Sequence, residues 1–147
     1  MRTTPLLVVV STGLAACGSF GAQEVHHEYV DQGIACLRGR PTALGQAYDE
    51  NAPLKVEYWL DTCLSSSCTH DRAVSCAVTR DGSGIVIRTS ATWTERGSTC
   101  TADCGHAQAT CDLDGLPAGH YTVALGGRTL PLDIPSVADA PLCLESP

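Results

Sequence analysis

The segment that decides the fold of this 147-residue chain is residues 121–134, which read YTVALGGRTLPLDI. Apolar and polar residues alternate on both sides of Gly126-Gly127, and two glycines between such runs are typical of a two-residue β-hairpin. One register keeps all apolar residues on one face, and it pairs Leu125 with Arg128, Val123 with Leu130, and Tyr121 with Leu132. A slip of one residue would turn the apolar set to the other face. Because Pro131 lacks an amide donor, we expect the second strand to lie at a sheet edge.

The same period of two recurs along the chain and predicts strands with one buried and one wet face. The alternating runs are 55–61, 73–78, 85–93, 120–125 and 129–134. No stretch has a convincing helical period, and for residues 41–48 we expect one helical turn or a loop. About seven short strands with frequent turns predict an all-β protein, an antiparallel β-sandwich rather than a barrel.

Residues 116–123, which read LPAGHYTV, resemble the corner before a late strand of immunoglobulin-like and fibronectin-like domains. In those domains a tyrosine hydroxyl bonds back to the preceding turn, and Tyr121 occupies that place here. Val123 stands where antibody-type domains have a cysteine. The resemblance implies an immunoglobulin-like sandwich without the antibody-type central bridge. An ordinary core tyrosine after a turn is the alternative.

The N-terminus has the pattern of an export signal. Arg2 precedes an apolar run, residues 6–16, which is too short for a bilayer span of about 20 residues. The sequence Leu14-Ala15-Ala16-Cys17 then resembles the lipobox of bacterial lipoproteins. In that family the chain is cut before the cysteine and the cysteine sulfur is lipidated, which implies a lipid on Cys17.

The lipobox resemblance divides the chain into three parts: a signal peptide at 1–16, a flexible tether at 17–27 and a sandwich domain at 28–147. An ordinary signal peptide cut near Gly21 is the alternative, and it also exports the protein. In well-known envelopes an aspartate after the lipidated cysteine favours the inner membrane. Gly18 at that position favours an anchor in the outer membrane.

Without Cys17, eight of the nine cysteines remain, an even number suited to a disulfide framework. They are Cys36, Cys63, Cys68, Cys76, Cys100, Cys104, Cys111 and Cys143. The folded part has few large rings, and small exported domains with modest cores commonly rely on disulfides. We therefore expect four structural bridges.

Two segments, 63–76 and 100–111, share one order: a cysteine, a loop cysteine, a histidine two residues later and a further cysteine. In an up-and-down sandwich both loops lie at one end, which we call the cysteine-loop end. Our first pairing set is Cys36–Cys143, Cys76–Cys111, Cys63–Cys68 and Cys100–Cys104. A rival set contains Cys63–Cys76, Cys100–Cys111 and Cys68–Cys104.

The same segments offer an alternative as a tetrahedral zinc or copper(I) site. Its ligands would be Cys63, Cys68, His70, Cys76, Cys100, Cys104, His106 and Cys111. The C-x2-C spacing is absent and exported thiols are normally oxidised, so we expect bridges and no metal.

The composition narrows the function classes. The chain has 16 acidic against 9 Lys and Arg residues, a net charge of −7, and no basic run. These features argue against nucleic-acid binding, and membrane association would depend on acyl chains. No G-x-S-x-G elbow, C-x-x-C pair or cofactor motif is present. We expect a non-enzymatic structural or binding lipoprotein that meets a protein or glycan at the cysteine-loop end. Its oligomeric state is not defined by the sequence.

Two other functions stay open at this stage. One is periplasmic metal binding through the Cys/His segments. The other is a hydrolase whose catalytic set forms only in the fold, with His70 or His106 as the base.

Overall fold

The computed structural model describes residues 24–146, which form twelve β-strands and no helix. The predicted all-β class is therefore confirmed, and within these residues there is no long apolar helix that could cross a membrane. The strands are β1 (Glu24–Val30), β2 (Gly33–Arg38), β3 (Arg40–Thr42), β4 (Gly45–Tyr48), β5 (Leu54–Trp59), β6 (Thr69–Asp81), β7 (Gly84–Arg96), β8 (Gln108–Leu113), β9 (Gly119–Leu125), β10 (Arg128–Ile134), β11 (Ser136–Ala138) and β12 (Leu142–Ser146).

Two large sheets and one small sheet make up the structure. In the first sheet β7 is central: β6 pairs along one side, and β1 and β9 pair with successive parts of the other side. β10 extends this sheet beyond β9. The second sheet has the order β12-β2-β5-β8, and the small sheet has the order β11-β4-β3.

The core lies between the two large sheets, so the fold is sandwich-like. The first sheet contributes Ile85, Ile87, Tyr121, Val123, Leu125, Leu132 and Ile134, and the second contributes Ala35, Leu37, Leu54, Val56, Leu113 and Leu144. A second cluster lies towards the cysteine loops and contains Tyr58, Leu60, Leu64, Ala91, Trp93 and Ala107. These residues follow the alternation seen in the sequence, because burial of one strand face requires a period of two.

The hairpin at 121–134 forms in the predicted register, with Leu125 opposite Arg128 and Val123 opposite Leu130. Gly126 lies in the left-handed region (φ 51°), and an added Cβ there would overlap the Asp31 carbonyl. Pro131 lies in β10, which forms the predicted edge of the sheet.

Two tyrosine hydroxyls fix the ends of strands. Tyr121 donates to the Pro117 carbonyl (2.9 Å), which is the bond expected for the corner. Tyr48 donates to the carbonyl of Leu37 (3.0 Å) and accepts from the amide of Leu142 (3.1 Å). Burial raises the pKa of Tyr48, while the bond from Leu142 opposes that rise.

Several details differ from the sequence expectations. There are twelve strands among the described residues instead of about seven, and β9 runs parallel to β7, so the first sheet is mixed. Residues 41–48, for which we expected a helical turn or a loop, form most of the β3–β4 hairpin. The resemblance to immunoglobulin-like domains stays limited to the corner at Tyr121.

The sandwich also includes residues that we assigned to the tether. Residues 24–27 belong to β1, which pairs with β7 from Glu24 opposite Arg96 onwards. His27 stacks on Trp93 (ring centroids 5.2 Å apart), and this contact buries part of a segment that is polar in sequence. The signal peptide at 1–16 and the proposed lipid site at Cys17 lie outside the described residues.

Candidate functional site

The eight cysteines from Cys36 to Cys143 form four disulfides. The structure joins Cys36–Cys143, Cys76–Cys111, Cys63–Cys104 and Cys68–Cys100. The first two bridges are those of our first pairing set. The other two were predicted wrongly in both sets. The first set closed each loop on itself, whereas the rival set had one crossing bridge, Cys68–Cys104, with exchanged partners.

Each bridge has a distinct place in the fold. Cys36–Cys143 links directly opposed residues of β2 and β12, with Cα atoms 4.0 Å apart. Cys76–Cys111 connects β6 of the first sheet to β8 of the second, with a Cα separation of 5.5 Å. The two crosswise bridges hold together loops 61–68 and 97–107, which form the cysteine-loop end.

Polar contacts lock the cysteine-loop end between its bridges. Leu64 and Gly105 exchange two backbone hydrogen bonds of 2.9 Å, and the amide of Thr101 donates to the Ser67 hydroxyl (2.9 Å). Arg96 at the end of β7 donates its amide to the Cys68 carbonyl (2.9 Å). The two loops therefore form one cross-linked layer continuous with β7.

Asp103 is the most interconnected charged residue of this layer. Its carboxylate accepts hydrogen bonds from the Thr101 hydroxyl and from the Ser66 amide (3.1 Å). These bonds favour the ionised form and lower the pKa of Asp103 below its ordinary value, with Thr101 as the main cause. The side chain remains exposed to solvent.

The structure does not assemble the alternative metal site. Its six cysteines are all in disulfides, so none of the six offers a thiolate to zinc or copper. The two histidines are also separated: His70 pairs with Thr94 in the first sheet, whereas His106 lines a groove on the second. Between residues 24 and 146, no group of three or more His, Cys, Asp or Glu side chains could hold a metal ion.

A groove of about 690 Å³ lies beside β5 and β8. We call it the Trp59 groove. Its lining residues are Glu57, Tyr58, Trp59, Asp61, His106, Gln108, Ala109 and Thr110. Volumes of about 300–1,000 Å³ are usual for small-molecule sites.

Strand alternation creates this groove. Glu57 and Trp59 alternate with the core residues Val56 and Tyr58, so they project from the outer face of the second sheet. On the adjacent strand Gln108 lies opposite Trp59, and Thr110 lies opposite Glu57. The sequence already placed Glu57, Trp59 and Asp61 on one face.

What the sequence did not reveal is the contribution of β8 to the groove. The pairing of β5 with β8 joins parts of the chain that are about 50 residues apart, and alternation defines a face but no partner strand. The available signal was the position of Trp59, a large aromatic residue on the face predicted to be wet.

One lining residue of the groove, Glu57, forms an ion pair with Arg38, which lies outside the lining. Nε and Nη2 of Arg38 both lie 2.8 Å from Oε2 of Glu57, and both side chains are partly exposed. This contact orients Glu57 and offsets its charge within the groove. The backbone carbonyl of His106 accepts a hydrogen bond from Nη1 of Arg72 (3.3 Å), and within residues 24–146 its ring makes no hydrogen bond.

Comparisons with known proteins do not extend this description. No family model, no curated protein and no solved structure matches the chain.

Proposed function

We propose that this protein is an exported bacterial lipoprotein, held in the cell envelope by a lipid on Cys17. Its sandwich domain acts as a rigid, non-enzymatic binding module. The support comes from two independent features, the lipobox-like sequence Leu14-Ala15-Ala16-Cys17 and the four disulfides. Disulfides of this number are typical of oxidising compartments outside the cytosol.

The observation that carries the proposal is the closed set of cysteine pairs. All eight cysteines beyond residue 17 have a partner within the chain, and the ninth is the one that the lipobox assigns to lipid. A chain that needed Cys17 for folding would leave one of the other eight without a partner. The pairing and the lipid assignment therefore support each other.

The first strand defines which end of the module would face the membrane. Glu24 lies opposite Arg96, and the amide of Arg96 donates to the Cys68 carbonyl, so β1 begins at the cysteine-loop end. Six residues separate Cys17 from Glu24, and the seven steps along the chain reach at most about 25 Å. A lipid on Cys17 would therefore hold the cysteine-loop end close to the membrane. A protein or glycan that binds at this end would therefore bind near the bilayer surface.

Stable anchoring would come from the acyl chains, since one chain binds marginally and two or more hold durably. The protein surface contributes little, because without residues 1–16 the chain has 16 acidic against 8 Lys and Arg residues, and anionic headgroups repel this excess of negative charge. The residue after the lipid cysteine is Gly18 and not an aspartate, so we propose that the protein is sorted to the outer membrane.

The test is to express the full chain in a Gram-negative bacterium and to measure its intact mass before and after reduction. We expect loss of residues 1–16, an added mass of three acyl chains, and a gain of two hydrogens per bridge on reduction. Phase separation in detergent provides a second readout. We expect the wild type to partition into the detergent phase and Cys17→Ala to partition into the aqueous phase. Ser19→Ala, the matched control, should partition like the wild type.

Two results would contradict the proposal. A mature chain that begins near residue 22 without added mass would indicate the ordinary signal peptide. A full-length chain with free thiols would indicate retention in the cytosol.

A further inference from the structure

We propose that the Trp59 groove is a carbohydrate-binding site in which a neutral sugar ring stacks on the indole of Trp59. This inference builds on the proposed binding function and names its ligand class. The groove adjoins the cysteine-loop end, which contributes Asp61 and His106, and it extends the binding surface onto the outer face of the second sheet.

The two tryptophans of the chain show why Trp59 is a candidate platform. Trp93 is 2% exposed and stacks with Tyr29 within the protein, at a ring distance of 5.1 Å. Trp59 is only partly buried, projects from the outer sheet face and lines the groove. The apolar faces of sugar rings pack against such flat aromatic surfaces, and an indole supplies a large contact area at small entropic cost.

The polar lining of the groove suits hydroxyl groups. Gln108 offers both a donor and an acceptor, Thr110 offers a hydroxyl, and the carboxylates of Glu57 and Asp61 accept. Sugar hydroxyls both donate and accept, so they can pair with every one of these groups. Ligand sites commonly combine an apolar surface with a few convergent polar groups.

A cationic ligand is the competing interpretation, because aromatic rings and carboxylates also attract ammonium and guanidinium groups. Two observations favour the neutral ligand. Arg38 already contacts Glu57 at 2.8 Å, which leaves Asp61 as the one lining carboxylate without a cation contact in the described structure. Gln108 and Thr110 would also gain little from a cation.

The groove is held by rigid elements, which lowers the cost of ordering it on binding. Glu57 and Trp59 belong to β5, and Gln108 and Thr110 belong to β8, which is paired along its full length. His106 follows directly after Gly105, whose backbone is bonded to Leu64 beside the Cys63–Cys104 bridge. Both walls therefore keep their positions without a ligand.

The experiment uses the full-length protein, purified without reductant in a detergent that carries no sugar. Maltotriose, cellotriose and triacetylchitotriose are titrated separately, with hexalysine as the cationic probe, and binding is followed by calorimetry. We expect saturable binding of at least one trisaccharide. Trp59→Ala should weaken it at least about tenfold, which corresponds to about 1.4 kcal/mol. Gln108→Ala should weaken it about threefold to tenfold.

Two variants provide controls. Trp59→Tyr keeps an aromatic face and should retain more affinity than Trp59→Ala. Leu44→Ala changes a residue that is 78% exposed in the turn between β3 and β4, outside the groove lining, and should bind as the wild type. Near-ultraviolet circular dichroism shows whether each variant is folded.

Three outcomes would overturn the inference. They are no binding of any trisaccharide, equal binding by the wild type and Trp59→Ala, or salt-sensitive binding of hexalysine alone. The mass measurement of lipidation is independent of this result. A lipidated protein that binds no sugar refutes only the carbohydrate site, whereas an unlipidated protein that binds sugar refutes only the anchor.

Discussion

Replacement of Tyr48 by phenylalanine removes one buried oxygen that connects three strands. Tyr48 in β4 is 0% exposed, and its hydroxyl lies between the Leu37 carbonyl of β2 and the Leu142 amide of β12. Leu37 and Leu142 are direct register partners, so the hydroxyl closes the end of their ladder. The ring itself remains in Tyr48→Phe, and the change therefore isolates the hydrogen bonds.

The expected loss follows from the burial of the two bonded groups. The Leu37 carbonyl belongs to a residue with 0% exposure, and leaving such an acceptor without a partner costs about 1–3 kcal/mol. Leu142 is only partly buried, and its amide can form a hydrogen bond to water instead. Losing its bond to Tyr48 therefore adds about 0.5–1 kcal/mol. We expect Tyr48→Phe to lower the free energy of unfolding by about 2–3 kcal/mol, or to lower the melting temperature by about 10 °C.

The assay is guanidinium unfolding without reductant, followed by tryptophan fluorescence, to which buried Trp93 and partly exposed Trp59 both contribute. Tyr29→Phe is the matched control, because Tyr29 is a partly buried tyrosine whose hydroxyl forms no hydrogen bond within residues 24–146. We expect the control to stay within about 0.5 kcal/mol of the wild type. If Tyr48→Phe also stays within that range, the reasoning from buried hydrogen bonds is refuted.

Three further predictions concern the loops and turns. With Cys63–Cys104 intact, Cys68–Cys100 closes a ring of only about ten residues. Replacing both Cys68 and Cys100 by alanine should lower the free energy of unfolding by about 3 kcal/mol in non-reducing denaturation. An unchanged free energy of unfolding would contradict this. The pKa of Asp103 is lowered in the folded state, so its stabilisation is full above the unfolded value of about 3.9 and disappears as the pH falls through the folded value. Asp103→Asn should therefore reduce the fall in melting temperature between pH 5 and pH 2, and an unchanged pH profile would count against these bonds. Gly126→Ala should destabilise the fold by more than about 2 kcal/mol, because the added Cβ meets the backbone. The Cβ added in Gly127→Ala meets nothing within 4 Å, and this variant should cost about 1 kcal/mol. Equal losses in the two variants would contradict the steric argument.

The strand faces could be predicted from sequence because burial leaves a period of two. Val123 and Leu132 are buried as the hairpin register requires, and Trp93 ends the inward set that begins at Ile85. The hydrogen bond of Tyr121 to the turn carbonyl at Pro117 also matches the corner pattern. These features depend on residues that are close in sequence, so the alternation of apolar and polar residues and the turn motifs are sufficient to predict them.

Partners that are distant in sequence could not be predicted in the same way. The parallel pairing of β7 with β9 brings Gly84 opposite Thr122, and no local signal specifies such a contact. Cys63 and Cys68 are five residues apart, which favoured a local bridge, yet the two loops lie face to face and pair crosswise. The Trp59 groove was hidden for the same reason, since it exists only when β5 and β8 are adjacent.

The pairing of β1 with β7 has a mechanical consequence. All residues from Glu24 to Val30 are in register with β7, and β7 itself is held by β6 and β9 on its flanks. If the chain is tethered through Cys17, a pull along β1 shears the whole ladder at once instead of peeling it pair by pair. The load then passes into the most connected strand of the domain, so the attachment point can carry force without opening the sandwich.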